Sequence, residues 1–451
     1  MKTIQLLIVS AVVTLIFASG NLYAQVQAKT ETEVLKFSLV AAQEYAVQNA
    51  TSAKNAELNG IISKKRTLEI ITEGLPQISG TFGYQNNFKL QTNVIPAGVF
   101  GPTEQRITFG NPFSAVAAIN VDQLIVDGRY FLGLKANKAI IAISEDQIEM
   151  NAIDLKNQVA KAYYACLVAD ESKLIIEKNL TTVKQLLGET EALYNAGFVE
   201  ELDVDRLKLS LSNLESQIKN SELQSAVTKN VLKYQIGLSY EQPIELTDKL
   251  ETMLTAENAA LDIENFSPKD RIEYRMQLAQ IQLRGYDKKR FALGYAPAIY
   301  GNFNYGYNSF SQDANVFGKE WFPYGSVGVG VVVPIFDSFK KGAQFQQKKY
   351  EELQLKNSLK DFENSSKVQV NNAFMNYDTA IEKFKNQKQN LELADKIYKK
   401  VQTKYKNGVG SSFELADAES SYSEAQGNYI QAIYSVLTAK TDLDKALGKI
   451  K

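Results

Sequence analysis

Proline placement divides this chain before any other feature does. No proline lies between Pro112 and Pro243, and none follows Pro334. Proline removes a backbone donor and clashes with the preceding turn, so it is kept out of helix interiors. Long proline-free tracts rich in Ala, Leu, Lys, Glu and Gln predict long helices. Most other prolines gather in 76–112 and 297–334, where Gly, Asn, Phe and Tyr also concentrate. The chain therefore reads as helix, strand region and long helices, and then the same series again.

Local matches support that duplication. Tyr194-Asn195-Ala196-Gly197 is followed by Leu202-Asp203-Val204, and Tyr405-Lys406-Asn407-Gly408 by Phe413-Glu414-Leu415 at the same spacing. Val126-Asp127-Gly128 echoes Phe336-Asp337-Ser338, and Leu75-Pro76 echoes Ala296-Pro297. These pairs lie between 210 and 221 residues apart, and the extra residues of the first copy fall in the loop holding Pro96, Gly98, Pro102 and Pro112. Insertions collect in loops, so two structural repeats are expected, at about 34–245 and 266–451.

The helical tracts carry a packing seam. From Ile148 to Tyr194, positions stepping alternately by four and three are apolar or small except for Lys173 and Thr190. The last tract repeats the pattern from Leu415 through Ala418, Tyr422, Ala425 and Tyr429 to Ala446, alternating large and small residues. Such seams belong to coiled-coil helices that interdigitate with a neighbour. A helix from Arg129 to Tyr194 would extend about 100 Å, too long for a compact domain. Glycine after a helix reverses the chain, so 196–202 and 407–413, with Gly197, Gly408 and Gly410, are expected to be the tips of two helical hairpins.

Four alternating segments lie between the helices. Ile78, Gly80, Phe82, Tyr84 and Phe88 oppose Ser79, Thr81, Gln85 and Asn87. Ala115, Ala117, Ile119, Val121 and Ile125 oppose Ala118, Asn120 and Asp122, while Ile299, Phe303, Tyr305 and Tyr307 oppose Asn302 and Asn304. Val327, Val329, Val331, Val333 and Ile335 oppose Ser326, Gly328 and Gly330. Each is about as long as a membrane-crossing strand of roughly 9–11 residues, apolar toward lipid and polar toward a lumen. Asn120, Asp122, Asn302 and Asn304 are the expected lumen-facing residues. Phe82, Tyr84, Tyr305, Tyr307, Trp321, Phe322 and Tyr324 would supply an interfacial aromatic girdle. Four strands leave open edges that lipid does not tolerate, so the barrel must be shared among chains. Two copies give eight strands, whose side chains fill the interior; three give twelve and leave a passage.

Composition narrows the function. Basic and acidic residues number 50 and 51, which offers no basic surface for nucleic acid. Histidine is absent and Cys166 is the only cysteine, so the commonest general base, the commonest metal ligand and any intrachain disulfide are missing. With no glycine-rich phosphate loop either, the chain reads as a non-enzyme without cofactor or metal. Lys2, the apolar run from Ile4 to Ala18 and the small Ala24 before Gln25 predict a signal peptide at 1–24 and a mature chain at 25–451.

With its paired Tyr-x-x-Gly tips, its Leu75-Pro76 and Ala296-Pro297 strand entries and its Asp127-Gly128 and Asp337-Ser338 strand exits, the chain resembles the TolC family of outer membrane efflux proteins. The resemblance covers nearly all of the mature chain. It implies an α+β membrane protein in which long antiparallel coiled-coil hairpins form a periplasmic α-barrel. Four strands per protomer would join a trimeric 12-stranded β-barrel in the outer membrane, with an equatorial girdle near 236–265 and the chain ends. It further implies a homotrimer docking with a periplasmic adaptor and an inner-membrane transporter of RND, ABC or MFS type. By the same resemblance Glu414 and Asp417, one turn apart, line the periplasmic aperture. Asp203 and Tyr405 match a latch, a hydrogen bond that holds the aperture shut. Gly410 departs from the family, which often has a basic residue there. The competing expectation is a secreted coiled-coil scaffold without transport activity, which would account for the seams but not for the strands or the duplication.

Overall fold

The computed structural model describes residues 34–98, 101–256 and 265–450, so the expected signal peptide lies outside the described residues. In chain order the elements are β1 (Leu35–Phe37), α1 (Leu39–Asn49), α2 (Thr51–Thr72), β2 (Gln77–Asn86), β3 (Thr92–Ile95), β4 (Gln105–Thr108) and β5 (Phe113–Val126). Next come α3 (Gly128–Asn195), α4 (Glu201–Ile236), β6 (Ile244–Leu246), α5 (Leu250–Ala256) and α6 (Ile272–Leu293). The chain closes with β7 (Ala298–Ser311), β8 (Trp321–Val332), α7 (Lys340–Lys406) and α8 (Ser412–Ala446).

Two rods set the length. Helices α3 and α7 run for 68 and 67 residues without a break, about 100 Å each. The shorter helices stack end to end beside them. Gly237, which closes α4, lies against the start of α2: a Cβ there would stand 2.6 Å from the carbonyl oxygen of Asn49, and φ is +79°. Only glycine allows both the left-handed turn and that approach. In the second half Gly448, just after α8, comes close to Arg271 at the start of α6.

The seam read from the sequence is the packed surface. Leu155, Val159, Ala162, Cys166, Ala169, Val183 and Thr190 are buried on α3, as are Leu415, Ala418, Ala425, Ala432, Val436 and Leu443 on α8. Tyr194 is the exception, exposed because the seam runs out at the tip. Lys173 reaches out of the seam to Glu177 and Glu222. Burial pushes the Cys166 thiol up to about 11 and leaves it an inert packing residue.

The largest core cluster gathers where the helices stack, around Tyr163, Tyr164, Leu232, Ile236, Ile433 and Leu437. Here β1 pairs in parallel with β6. The Tyr163 hydroxyl lies 2.9 Å from both the Phe37 carbonyl and the Asp248 carboxylate, and Asp248 also accepts the Leu39 amide at 2.7 Å. The first described strand is thereby bound to the waist of the molecule, within the girdle expected near 236–265; residues 257–264 lie outside the described residues.

At the far end β2, β5, β7 and β8 form one antiparallel sheet in that order. Three details differ from the sequence reading. The strands run for 10, 14, 14 and 12 residues, so β5 and β7 continue past the length a bilayer needs. Phe88 falls beyond β2, and Val333 and Ile335 fall beyond β8, where Pro334 has no donor to extend the ladder. The loop after β2 is also not structureless, since β3 and β4 pair within it as a small hairpin.

Candidate functional site

At the end opposite the sheet, the two hairpin tips are closed by the same bonds. The Phe198 amide donates to the Leu193 carbonyl at 2.9 Å and the Gly197 amide to Tyr194 at 2.9 Å. Val409 donates to Lys404 at 3.1 Å and Gly408 to Tyr405 at 3.0 Å. This paired closure needs a left-handed residue, and Gly197 and Gly408 have φ of +80° and +73°. Gly410 serves a different purpose, because a Cβ there would come within 3.0 Å of the Tyr405 amide nitrogen. A long basic side chain does not fit that position without moving the turn.

The helices leaving the tips are capped by their own side chains. Glu200 and Asp203 cap α4 reciprocally, Asp203 accepting the Glu200 amide at 3.3 Å. On α8 the Ser411 hydroxyl accepts the Glu414 amide at 3.2 Å. Glu414 and Asp417 are both exposed on the first turns of α8, and among the described residues neither forms an ion pair.

Within the protomer Asp203 and Tyr405, the residues expected to form the latch, share no hydrogen bond, and Asp203 accepts the Glu200 amide at the α4 cap. Tyr405 is buried, and its hydroxyl lies 3.2 Å from the Thr190 hydroxyl of the other hairpin. Burial raises the Tyr405 phenol, the Thr190 bond works against that, and the nearby Asp203 charge adds to it.

Two tip residues escaped the sequence reading. Arg206 on α4 donates to the Ser412 hydroxyl at 2.9 Å and lies 5.8 Å over the Phe413 ring. It supplies from the opposite hairpin a cation beside the second tip. Glu419 on α8 is 9% exposed and accepts the Ser210 hydroxyl at 3.0 Å. Burial holds its carboxyl above the ordinary glutamate range. It borders a cleft of about 570 Å³ between α4 and α8, lined also by Asn213, Gln217 and Ser423. Burial, with the Glu419 charge beside it, pushes the Tyr398 phenol up to about 12. A sequence signal existed for Thr190, one of only two breaks in the seam. For Arg206 the only hint was its place one turn after Asp203, and for Glu419 its place next to seam residue Ala418.

The sheet brings the four polar strand residues together. Gln77, Asp122, Asn302 and Gly328 lie on one cross-strand line, and Ser79, Asn120, Asn304 and Ser326 on the next. Asn120 donates to the Thr81 hydroxyl at 2.9 Å, and Asn304 donates to the Asn120 side-chain oxygen. The opposite face carries Ile78, Ile119, Phe303, Tyr305, Val327 and Val329, all exposed. Phe82 and Tyr84 stack on Phe317 of the β7–β8 connection, at 5.9 and 5.6 Å. Among the described residues no helix is long and apolar enough to cross a membrane, and no cluster of His, Cys, Asp and Glu could hold a metal ion.

Comparisons with known proteins agree with this architecture. Residues 293–449, from the end of α6 through α8, match the family model described as outer membrane efflux protein. No curated protein sequence matches the chain. Among solved structures, the outer membrane protein VceC from Vibrio cholerae superposes with a TM-score of 0.68 at 13% identity, covering 91% of this chain and 96% of that one. The CmeC outer membrane channel of Campylobacter jejuni gives 0.67 at 15% identity, covering 91% and 85%. The open state of the Neisseria gonorrhoeae MtrE outer membrane channel gives 0.66 at 16% identity, covering 91% and 88%. Residues 293–449 thus match the outer membrane efflux protein family model, and most of the chain shares its fold with bacterial outer membrane channels.

Proposed function

We propose that the chain is one subunit of a passive outer membrane duct of a tripartite efflux or secretion system. One observation carries this reading: a four-stranded sheet with an apolar face, a polar face and two unpaired edges, mounted on helices about 100 Å long. An unpaired β2 edge on one copy and an unpaired β8 edge on the next complement each other, and three copies close twelve strands around a passage. The aligned helices of the same three copies continue that passage through the periplasm, where an adaptor and an inner-membrane transporter of RND, ABC or MFS type would engage them. The duplication at about 34–245 and 266–451 gives each copy two strand pairs and two hairpins.

In this reading the tips are the gate. Glu414 and Asp417, repeated three times, place six carboxylates around a narrow aperture, where like charges attract cations. The Thr190–Tyr405 and Arg206–Ser412 bonds hold the hairpins in the closed arrangement. The test is single-channel recording in planar bilayers with the Glu414→Gln/Asp417→Asn double variant. Block by a trivalent cation from the periplasmic side is expected to weaken at least about tenfold, because the isosteric amides keep the helix and remove the charge. Unchanged block would place these carboxylates outside the passage.

A further inference from the structure

Across the 10, 14, 14 and 12 residues of β2, β5, β7 and β8, Asp122 is the only side chain that carries a charge. An ionisable group in a membrane-spanning wall is costly unless it faces water, so its presence there fixes which way that face is turned. Asp122 lies on the polar face, level with Gln77 and Asn302 and one line from Asn120 and Asn304. It is exposed, and among the described residues it has no ion pair or hydrogen-bonding side chain. Nothing on its own strand or on either neighbouring strand neutralises it. An unpaired carboxylate turned toward lipid would be strongly disfavoured, whereas one turned toward water in a lumen is not.

We propose that Asp122 sets the ion preference of the β-walled part of the duct, favouring cations. This rests on the trimeric duct reading. Threefold symmetry puts three Asp122 carboxylates at one level, roughly 13 Å before β5 gives way to α3. Every other lumen-facing strand residue is neutral, so these three charges fix the sign of the potential along that stretch. A twelve-stranded wall is wide, and the field reaches its axis only where screening is weak. The Debye length is about 30 Å at 0.01 M salt and about 3 Å at 1 M. The preference of this section is therefore strong in dilute salt and absent in concentrated salt. The narrow aperture at the tips differs, because its charges stand close to any ion that passes.

The experiment uses full-length trimers in planar bilayers under a KCl gradient, in the Glu414→Gln/Asp417→Asn background so that the two proposed aperture carboxylates contribute no charge. At about 10 mM salt, Asp122→Asn is expected to lower the K⁺ to Cl⁻ permeability ratio about twofold, and Asp122→Lys to turn the preference toward chloride; at 1 M neither differs from its parent. Asp122→Cys gives a second measurement. A sulfonate-bearing thiol reagent should restore the cation preference and an ammonium-bearing one reverse it. The native Cys166 is fully buried and does not react. Permeability ratios untouched by Asp122→Asn and Asp122→Lys, or an Asp122→Cys channel deaf to both reagents, overturn the proposal. A parent protein that never conducts would instead remove the duct reading itself.

Discussion

Glu419 shows how much one buried side chain can decide at the tips. Its carboxyl has a serine partner but, among the described residues, no cation, since Arg206 is tied to Ser412. A carboxyl whose value is raised in the folded state favours the fold while protonated, and that contribution is lost as pH rises through the raised value. It is fully present only below the ordinary value of 4.5. The junction between the hairpins is therefore expected to hold tightest in acid and to loosen as pH climbs. Amide hydrogen exchange over 206–214 and 412–420, corrected for intrinsic rates, should rise with pH in the natural protein and stay flat in Glu419→Gln. Parallel profiles would show that the carboxyl stays charged or plays no part. At this scale the sequence was only partly legible. Gly197 and Gly408 announced themselves through the repeated Tyr-x-x-Gly, because a left-handed turn has few residue choices. Tyr405 was expected to bond across the helices, but Thr190 was not seen as its partner, since Thr190 lies 215 residues away and only the packing of the two hairpins brings them together.

At the scale of elements, periodicity did most of the reading. The steps of three and four predicted α3 and α8, and the steps of two predicted the faces of β2, β5, β7 and β8, because those spacings follow directly from helix and strand geometry. The β1–β6 pair could not be seen in this way, as three residues on each strand carry no period and the pairing joins distant segments. The β3–β4 hairpin was hidden for a related reason, its four-residue strands lying amid Gly and Pro. Strand faces can be tested directly. With single cysteines at Asn304, Tyr305 and Val329, a membrane-impermeant thiol reagent should label only the first. Labelling of Tyr305→Cys and Val329→Cys with Asn304→Cys protected would mean that the sheet is mounted with its polar face outward.

For the whole molecule, the unpaired outer edges of β2 and β8 have a consequence for inheritance. In the proposed trimeric duct a copy cannot close its own wall, so each ring would draw three copies at random from the cell's supply. A variant with sound edges and a faulty tip, such as Glu414→Lys, enters rings freely. When it is made in equal amount with the natural chain, only about one ring in eight is free of it. A variant whose β8 edge is blocked, such as Val327→Pro with Gly328→Pro, cannot join a ring and leaves the natural copies to assemble among themselves. Recording single channels from cells that express both copies should show about one-eighth with natural cation block in the first case, and nearly all in the second. On the proposed trimer, tip defects are thus expected to be dominant and edge defects recessive, although both arise in one gene.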